Sequence, residues 1–236
     1  MSVATAEPQD LKLANRESAT PPAEQSIIVT ERASRAVKDI LNDQRRKLLS
    51  DLAPELVEIY NSFLTKQGRA PGFDELAAAG NTNGADLLVK LGTAAFGKSE
   101  HMPQEYRDMH REVTAANGHT ATVAEMAARA GVSETELLTK IGKSAGTILG
   151  KVHLRLRTVG AGCSGMTDKL DLDPGFDEKR DNLFDFHGVP VVVDKRSLLY
   201  VAGVTVDYHN ELNRSGFSIS NPNRKSTCGC GSSYSM

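Results

Sequence analysis

The sequence predicts an α+β protein in which a mostly-β domain is interrupted by an all-α inserted domain containing a twofold repeat. Three observations lead there. Apolar residues alternate with period two after Lys151 and do so again in several later stretches. Helical periodicity fills the chain from about residue 45 to 150. A short strand and a helix precede that block, an order that makes sense if the block interrupts a domain already begun.

Residues 1–25 are rich in Ala, Pro, Glu, Gln and Ser without apolar periodicity, and read as a disordered leader. Ile27, Ile28 and Val29 then make a short strand. Thr30 is placed to cap a helix with Glu31 in its first turn. Ala33, Ala36, Val37, Ile40 and Leu41 carry that helix through about Asn42.

Within residues 43–148, Leu48, Leu49, Leu52, Leu56, Val57 and Tyr60 keep a helical period. FDELAAAGNTNGADLLVKLG (73–92) and VAEMAARAGVSETELLTKIG (123–142) align without a gap at an offset of 50 residues. A shared Glu, two Ala, Leu-Leu, Lys and a closing Gly mark a duplicated helical unit. After Lys151, strands are expected at 152–158, 182–186, 189–194, 204–208 and 216–220. Gly188-Val189-Pro190 and Asn221-Pro222-Asn223 supply turns. The residues from Cys228 onward, rich in Gly and Ser, read as a mobile tail.

Composition narrows the class of protein. A content of 39% hydrophobic and 25% charged residues is that of an ordinary soluble protein, and no stretch has the apolar length of a membrane span. The N-terminal residues resemble neither a secretory signal nor a transit peptide, so a cytoplasmic protein is expected. A formal net charge of -2 argues against general affinity for nucleic acid. Three cysteines without an export signal argue against a disulfide framework.

Those cysteines are the chemically distinctive residues. Cys163 stands in Gly160-Ala161-Gly162-Cys163-Ser164-Gly165, directly after the strand 152–158, where glycines permit a tight turn that leaves the thiol uncovered. Cys228 and Cys230 flank Gly229, whose freedom lets both sulfurs bend toward one metal centre. Thiolates favour zinc, copper(I) or iron–sulfur clusters. A closed structural zinc site takes four ligands, and three cysteines leave it one short. The deficit suits a loosely held group completed by a second subunit or an exogenous thiol. Zinc or mononuclear iron is the competing occupant, and an incidental pair of tail cysteines is the bland alternative. No nucleophile–base pair or carboxylate dyad marks an enzyme.

LRLRTVGAGCSGM (154–166), GVPVVVDKRSLLYVAGVTVDYHNEL (188–212) and GFSISNPNRKSTCGCGSS (216–233) closely resemble the A-type iron–sulfur carrier family, also called HesB- or IscA-like. SIIVTERASRAVKDIL (26–41) resembles that family's opening strand and helix. The resemblance covers 26–42 and 149–236, which it joins as one discontinuous carrier domain, and leaves 43–148 as a large helical insertion. It implies a compact fold and a [2Fe–2S] or [4Fe–4S] cluster on Cys163, Cys228 and Cys230. It also implies a homodimer or higher oligomer, a cluster-assembly scaffold as donor, and apo iron–sulfur clients as acceptors.

The insertion itself allows several readings. Residues 122–143 look like a helix-turn-helix, which would make the protein an iron–sulfur-sensing DNA regulator. Residues 44–148 hold 12 Lys/Arg against 13 Asp/Glu, and Glu134 and Glu136 open the second helix where phosphate or base contacts belong. Gly92-Thr93-Ala94-Ala95-Phe96-Gly97-Lys98-Ser99 satisfies the P-loop pattern but lacks a convincing strand before it. A helical interaction module is the preferred reading. His101, His110 and His119 are expected at the surface, and His153 on the outward face of its strand.

Overall fold

The computed structural model describes residues 27–161, 165–211, 214–224, 226–227 and 234–235. The leader expected at 1–25 lies outside them. Strand β1 (Ile28–Val29) leads into helix α1 (Glu31–Leu52), whose first turn is capped by Thr30 as the sequence predicts, its Oγ1 accepting from Ala33 N at 3.1 Å. The helix does not stop near Asn42. Neither Gly nor Pro occurs between Glu31 and Ala53, and Pro54 provides the first strong stop. Asn42, whose side chain often competes for backbone groups, instead accepts a hydrogen bond from Tyr60 Oη at 2.8 Å.

After a 3-10 turn at Pro54–Leu56 come α2 (Val57–Gln67), α3 (Phe73–Ala79), α4 (Gly84–Ala95), α5 (Gln104–Asn117), α6 (Val123–Ala130) and α7 (Glu134–Ala145). The sequence repeat is a structural one, α3–α4 matching α6–α7. Glu75 and Glu125 reach back to accept from the backbone N–H of Gly72 and Thr122, each at 2.8 Å. Asn83 and Ser133 cap the second helices by accepting from Asp86 N and Glu136 N. Leu87, Leu91, Leu137 and Ile141 are fully buried, each stabilising the block by roughly 1.5–3 kcal/mol.

The two second helices pack on each other through the glycines that close the repeats. A Cβ on Gly92 would stand 1.9 Å from the carbonyl oxygen of Leu138, and one on Gly142 would stand 1.8 Å from that of Leu88. Positions 92 and 142 are equivalent in the repeat, as are 88 and 138. The crossing is therefore internally twofold, with backbone against backbone. Gly92 lies inside α4 and is preceded by helix, so the P-loop pattern around it has no P-loop structure.

The remainder comprises β2 (His153–Ala161), β3 (Gly165–Asp173), β4 (Asp181–Phe186), β5 (Val189–Asp194), the short helix α8 (Lys195–Leu198), β6 (Thr205–Glu211), β7 (Arg214–Ser220), β8 (Ser226–Thr227) and β9 (Tyr234–Ser235). One sheet has the order β1-β6-β7 and the other β4-β5-β2-β3-β9-β8. β1 pairs in parallel with β6, which ties the start of the described chain to its C-terminal part. Two expectations change here. β3 is a full strand that the aspartate-rich segment 165–173 conceals, because aspartate is depleted in strands. Its acids are instead met across the sheet, Arg155 Nε holding Asp173 and Arg157 holding Asp171, both at 2.6 Å. The mobile tail expected from Cys228 lies mostly outside the described residues, but within it Tyr234–Ser235 form β9, which pairs with both β3 and β8.

Apolar burial falls into two clusters. One holds Leu48, Leu49 and Leu52 of α1 with the other helices to Leu149. The second holds Ala33, Val37 and Leu41 of the same helix with Val29, Leu154, Leu156, Val191, Val193 and Val206. Helix α1 thus belongs to both, and Ile148 packs against both. Arg45 secures the return of the chain, donating to the carbonyls of Ile148 at 2.7 Å and Gly150 at 3.0 Å. Among the described residues no helix is long and apolar enough to cross a membrane.

Candidate functional site

Cys163, Cys228 and Cys230 lie outside the described residues, but the chain on either side of them is described. β2 and β3 form an antiparallel hairpin that runs out to the pair Ala161↔Gly165, so Cys163 belongs to its connecting segment. Cys228 directly follows Thr227 of β8. Thr227 pairs with Tyr234 of β9, and Tyr234 pairs with Met166 of β3. Adjacent strands are about 4.8 Å apart, so the flanks of the glycine loop and of the terminal cysteine pair share one stretch of one sheet.

A buried polar network fixes those flanks. The Asp168 side chain has no exposure and accepts from Thr158 Oγ1 at 2.7 Å, across the hairpin. Its other oxygen accepts from Asn221 Nδ2 at 3.1 Å and pairs with Arg224 at 3.3 Å. A buried carboxylate is costly unless hydrogen-bonded and paired, and here its partners come from β2 and from the segment entering β8. Asn221-Pro222-Asn223 is indeed a turn, and more than that. Asn221 Nδ2 also donates to Tyr200 O at 3.1 Å, Asn223 Nδ2 donates to Ala202 O at 2.8 Å, and Asn223 N donates to Asn221 Oδ1 at 2.9 Å.

The VVVD strand contributes from the other side. Asp194 caps α8, its Oδ1 accepting from Arg196 N and Ser197 N. This sets the buried Ser197 so that its Oγ accepts from Thr158 N at 2.9 Å. Beside the loop end of the hairpin runs a groove of about 440 Å3, lined among others by Arg157, Gly160, Met166, Arg196 and Tyr200. Leu199 on its rim is 78% exposed. Sequence reasoning singled out the NPN turn and the VVVD strand but not Asp168, Thr158 or Arg224. Asp168 was detectable as an acid five residues beyond Cys163, but its burial depends on partners more than fifty positions away.

Charge is well balanced around this fold. Arg155 bonds Asp181 with two nitrogens at 3.0 Å each as well as Asp173, and the guanidinium holds the Asp181 carboxyl below the ordinary carboxylate range. Asp207 in β6 accepts from Thr30 Oγ1 at 2.6 Å and pairs with Arg32. The Thr30 bond, then Tyr208 N and Arg32, lower its pKa to about 2.

The histidines depart from expectation. His153 is only 7% exposed, lying against the Phe176 ring with Nδ1 3.3 Å from Asp173 O. Alternation pointed it outward, but the 174–180 loop folds over that face. His101 is largely enclosed and His110 partly so, the latter edge-on to Phe96; His119 is exposed.

A family model described as iron–sulphur cluster biosynthesis matches residues 135–232, a span that contains all three cysteines. The chain is 45% identical over 85 residues to the iron–sulfur cluster insertion protein ErpA of Ruthia magnifica subsp. Calyptogena magnifica, covering 36% of this chain and 72% of that one. It is 40% identical over 84 residues to the uncharacterized protein slr1417 of Synechocystis sp., covering 35% of this chain and 71% of the relative. Among solved structures, a crystal structure of IscA with a [2Fe–2S] cluster is 27% identical, with a TM-score of 0.30 over 34% of this chain and 72% of that one.

Proposed function

Because the chain belongs to the HesB/IscA-like family of A-type iron–sulfur carriers, we propose that it holds a labile [2Fe–2S] or [4Fe–4S] cluster on Cys163, Cys228 and Cys230. The cluster is cargo, received from an assembly scaffold and passed to apo-proteins, and the protein is not an enzyme. The observation that carries this reading is that the family match runs through all three cysteines, in the order loop cysteine then terminal pair. Three soft thiolates fit iron and sulfide, and a reducing compartment such as the cytoplasm keeps them available.

In this reading the hairpin holding Cys163 is the anchored ligand. The Asp168–Asn221–Arg224 network keeps the approach to Cys228 and Cys230 beside it. The tail thiolates are the ligands released first, each exchanged for a client thiolate with no net redox change. A subunit partner or exogenous thiol completes the coordination, which favours a homodimer or higher oligomer. Residues 26–42 and 149–236 form the carrier domain and 43–148 an insertion that engages a protein partner. The insertion takes no part in reading DNA, since the exposed first turn of α7 carries Glu134 and Glu136.

Anaerobic reconstitution with iron and sulfide tests the site. The expected product is brown, with stoichiometric acid-labile sulfide that Cys163→Ser abolishes and Cys228→Ser or Cys230→Ser renders rapidly lost. A colourless protein that takes up zinc alone, or tail variants with unchanged retention and transfer, would sink the assignment.

A further inference from the structure

A second set of metal-ligating side chains stands in the helical block. Asp51 lies in the last turn of α1, and Glu100 and His101 in the turn after α4. His101 Nε2 is 3.5 Å from Asp51 Oδ2 and 3.5 Å from Glu100 Oε1, and the three donor atoms lie within 4.8 Å of one another. The imidazole is 14% exposed, and Nε2 is closed to solvent with no hydrogen-bond partner. A separation of 3.5 Å is long for a hydrogen bond. It matches two donors that each lie about 2.1 Å from a common ion at a near-tetrahedral angle.

The backbone holds these groups in place. His101 N donates to Lys98 O at 3.0 Å, and Lys98 Nζ donates to Asp51 O at 2.8 Å, stapling the turn to the end of α1. The C-terminal end of a helix is the negative end of its dipole and favours a cation. The Lys98 ammonium opposes this, one positive charge against two carboxylates.

We propose that Asp51, Glu100 and His101 form a site for a divalent first-row metal ion, separate from the cysteines. One imidazole nitrogen and two carboxylate oxygens suit manganese(II), iron(II) or zinc, with water filling the remaining positions. Glu100 is 73% exposed and leaves a path for entry. A bound ion clips the end of α1 to the α4–α5 turn and stabilises the helical block.

The test uses the full chain carrying Cys163→Ser, Cys228→Ser and Cys230→Ser, so that thiolates take no metal. Manganese(II) is titrated by loss of its free EPR signal, and zinc by calorimetry. One equivalent is expected to bind and to raise the melting temperature. Glu100→Gln, at an exposed position, and His101→Ala should each weaken binding at least tenfold and remove the thermal shift. Absence of stoichiometric binding would overturn the proposal and leave His101 simply packed beside Asp51 and Glu100. Binding that both variants retain would overturn it equally, by placing the metal elsewhere. Either failure leaves the carrier reading intact, because the thiolates are absent from the experiment.

Discussion

Asp207 shows how single residues secure the joint between the first helix and the sheet. Its carboxylate takes hydrogen bonds from the side chain that caps α1 and from Arg32, so its pKa falls to about 2. A carboxyl depressed in the folded state adds stability above its unfolded pKa of about 3.9 and loses it as pH falls toward the folded value. Asp207→Asn should therefore destabilise the protein by about 1 kcal/mol at pH 7, discounted for the exposure of Arg32. The difference from the parent should begin to shrink below about pH 5, be largely lost by about pH 2 and vanish only near pH 1, measured by urea denaturation across that range. An unchanged difference at pH 2.5 would mean that the side chain acts by packing and not by charge. Thr30 as a cap was legible from its position before an acidic first turn, whereas its second partner, 177 positions away, was not.

The α4–α7 crossing is the element most exposed to a small change. Gly92→Ala or Gly142→Ala drives a methyl group into a carbonyl of the facing helix, and backbone cannot swing aside as a side chain can. Each should destabilise the helical block by roughly 3 kcal/mol, read as loss of helical signal at lower denaturant. The exposed neighbour Thr93→Ala should change stability by under about 0.5 kcal/mol. Equal effects at 92 and 93 would show that the helices do not meet as described. The shared closing glycine was visible in the repeat, and its reason was not. An alignment shows that a glycine recurs, and packing shows that it recurs because two backbones touch.

At the scale of the whole molecule, α1 links two apolar clusters, and Arg45 fastens the returning chain at Ile148 and Gly150 beside it. The chain that enters the helical block leaves it close by, so replacing residues 47–148 with a short glycine-rich linker should preserve the sheets. That protein is expected to keep strand-rich circular dichroism and to reconstitute a cluster with the parent stoichiometry. Collapse of the shortened chain would make the helical block part of the carrier fold and not an addition to it.

Periodicity, composition and residue chemistry are local properties, and what they encode was readable in the sequence. They include the run of strands after Lys151, the duplicated helix pair, the cap at Thr30 and three thiols in glycine-rich settings. Tertiary structure decided the rest. It gave Asn42 a partner in Tyr60 within a continuous α1, and it made a strand of 165–173 because Arg155 and Arg157 meet its acids. It enclosed His153 under a loop, buried Asp168 among partners from β2 and the NPN turn, and brought His101 to Asp51. Each of these depends on groups far apart in the chain whose free energy changes only when they meet, so no local pattern announces them.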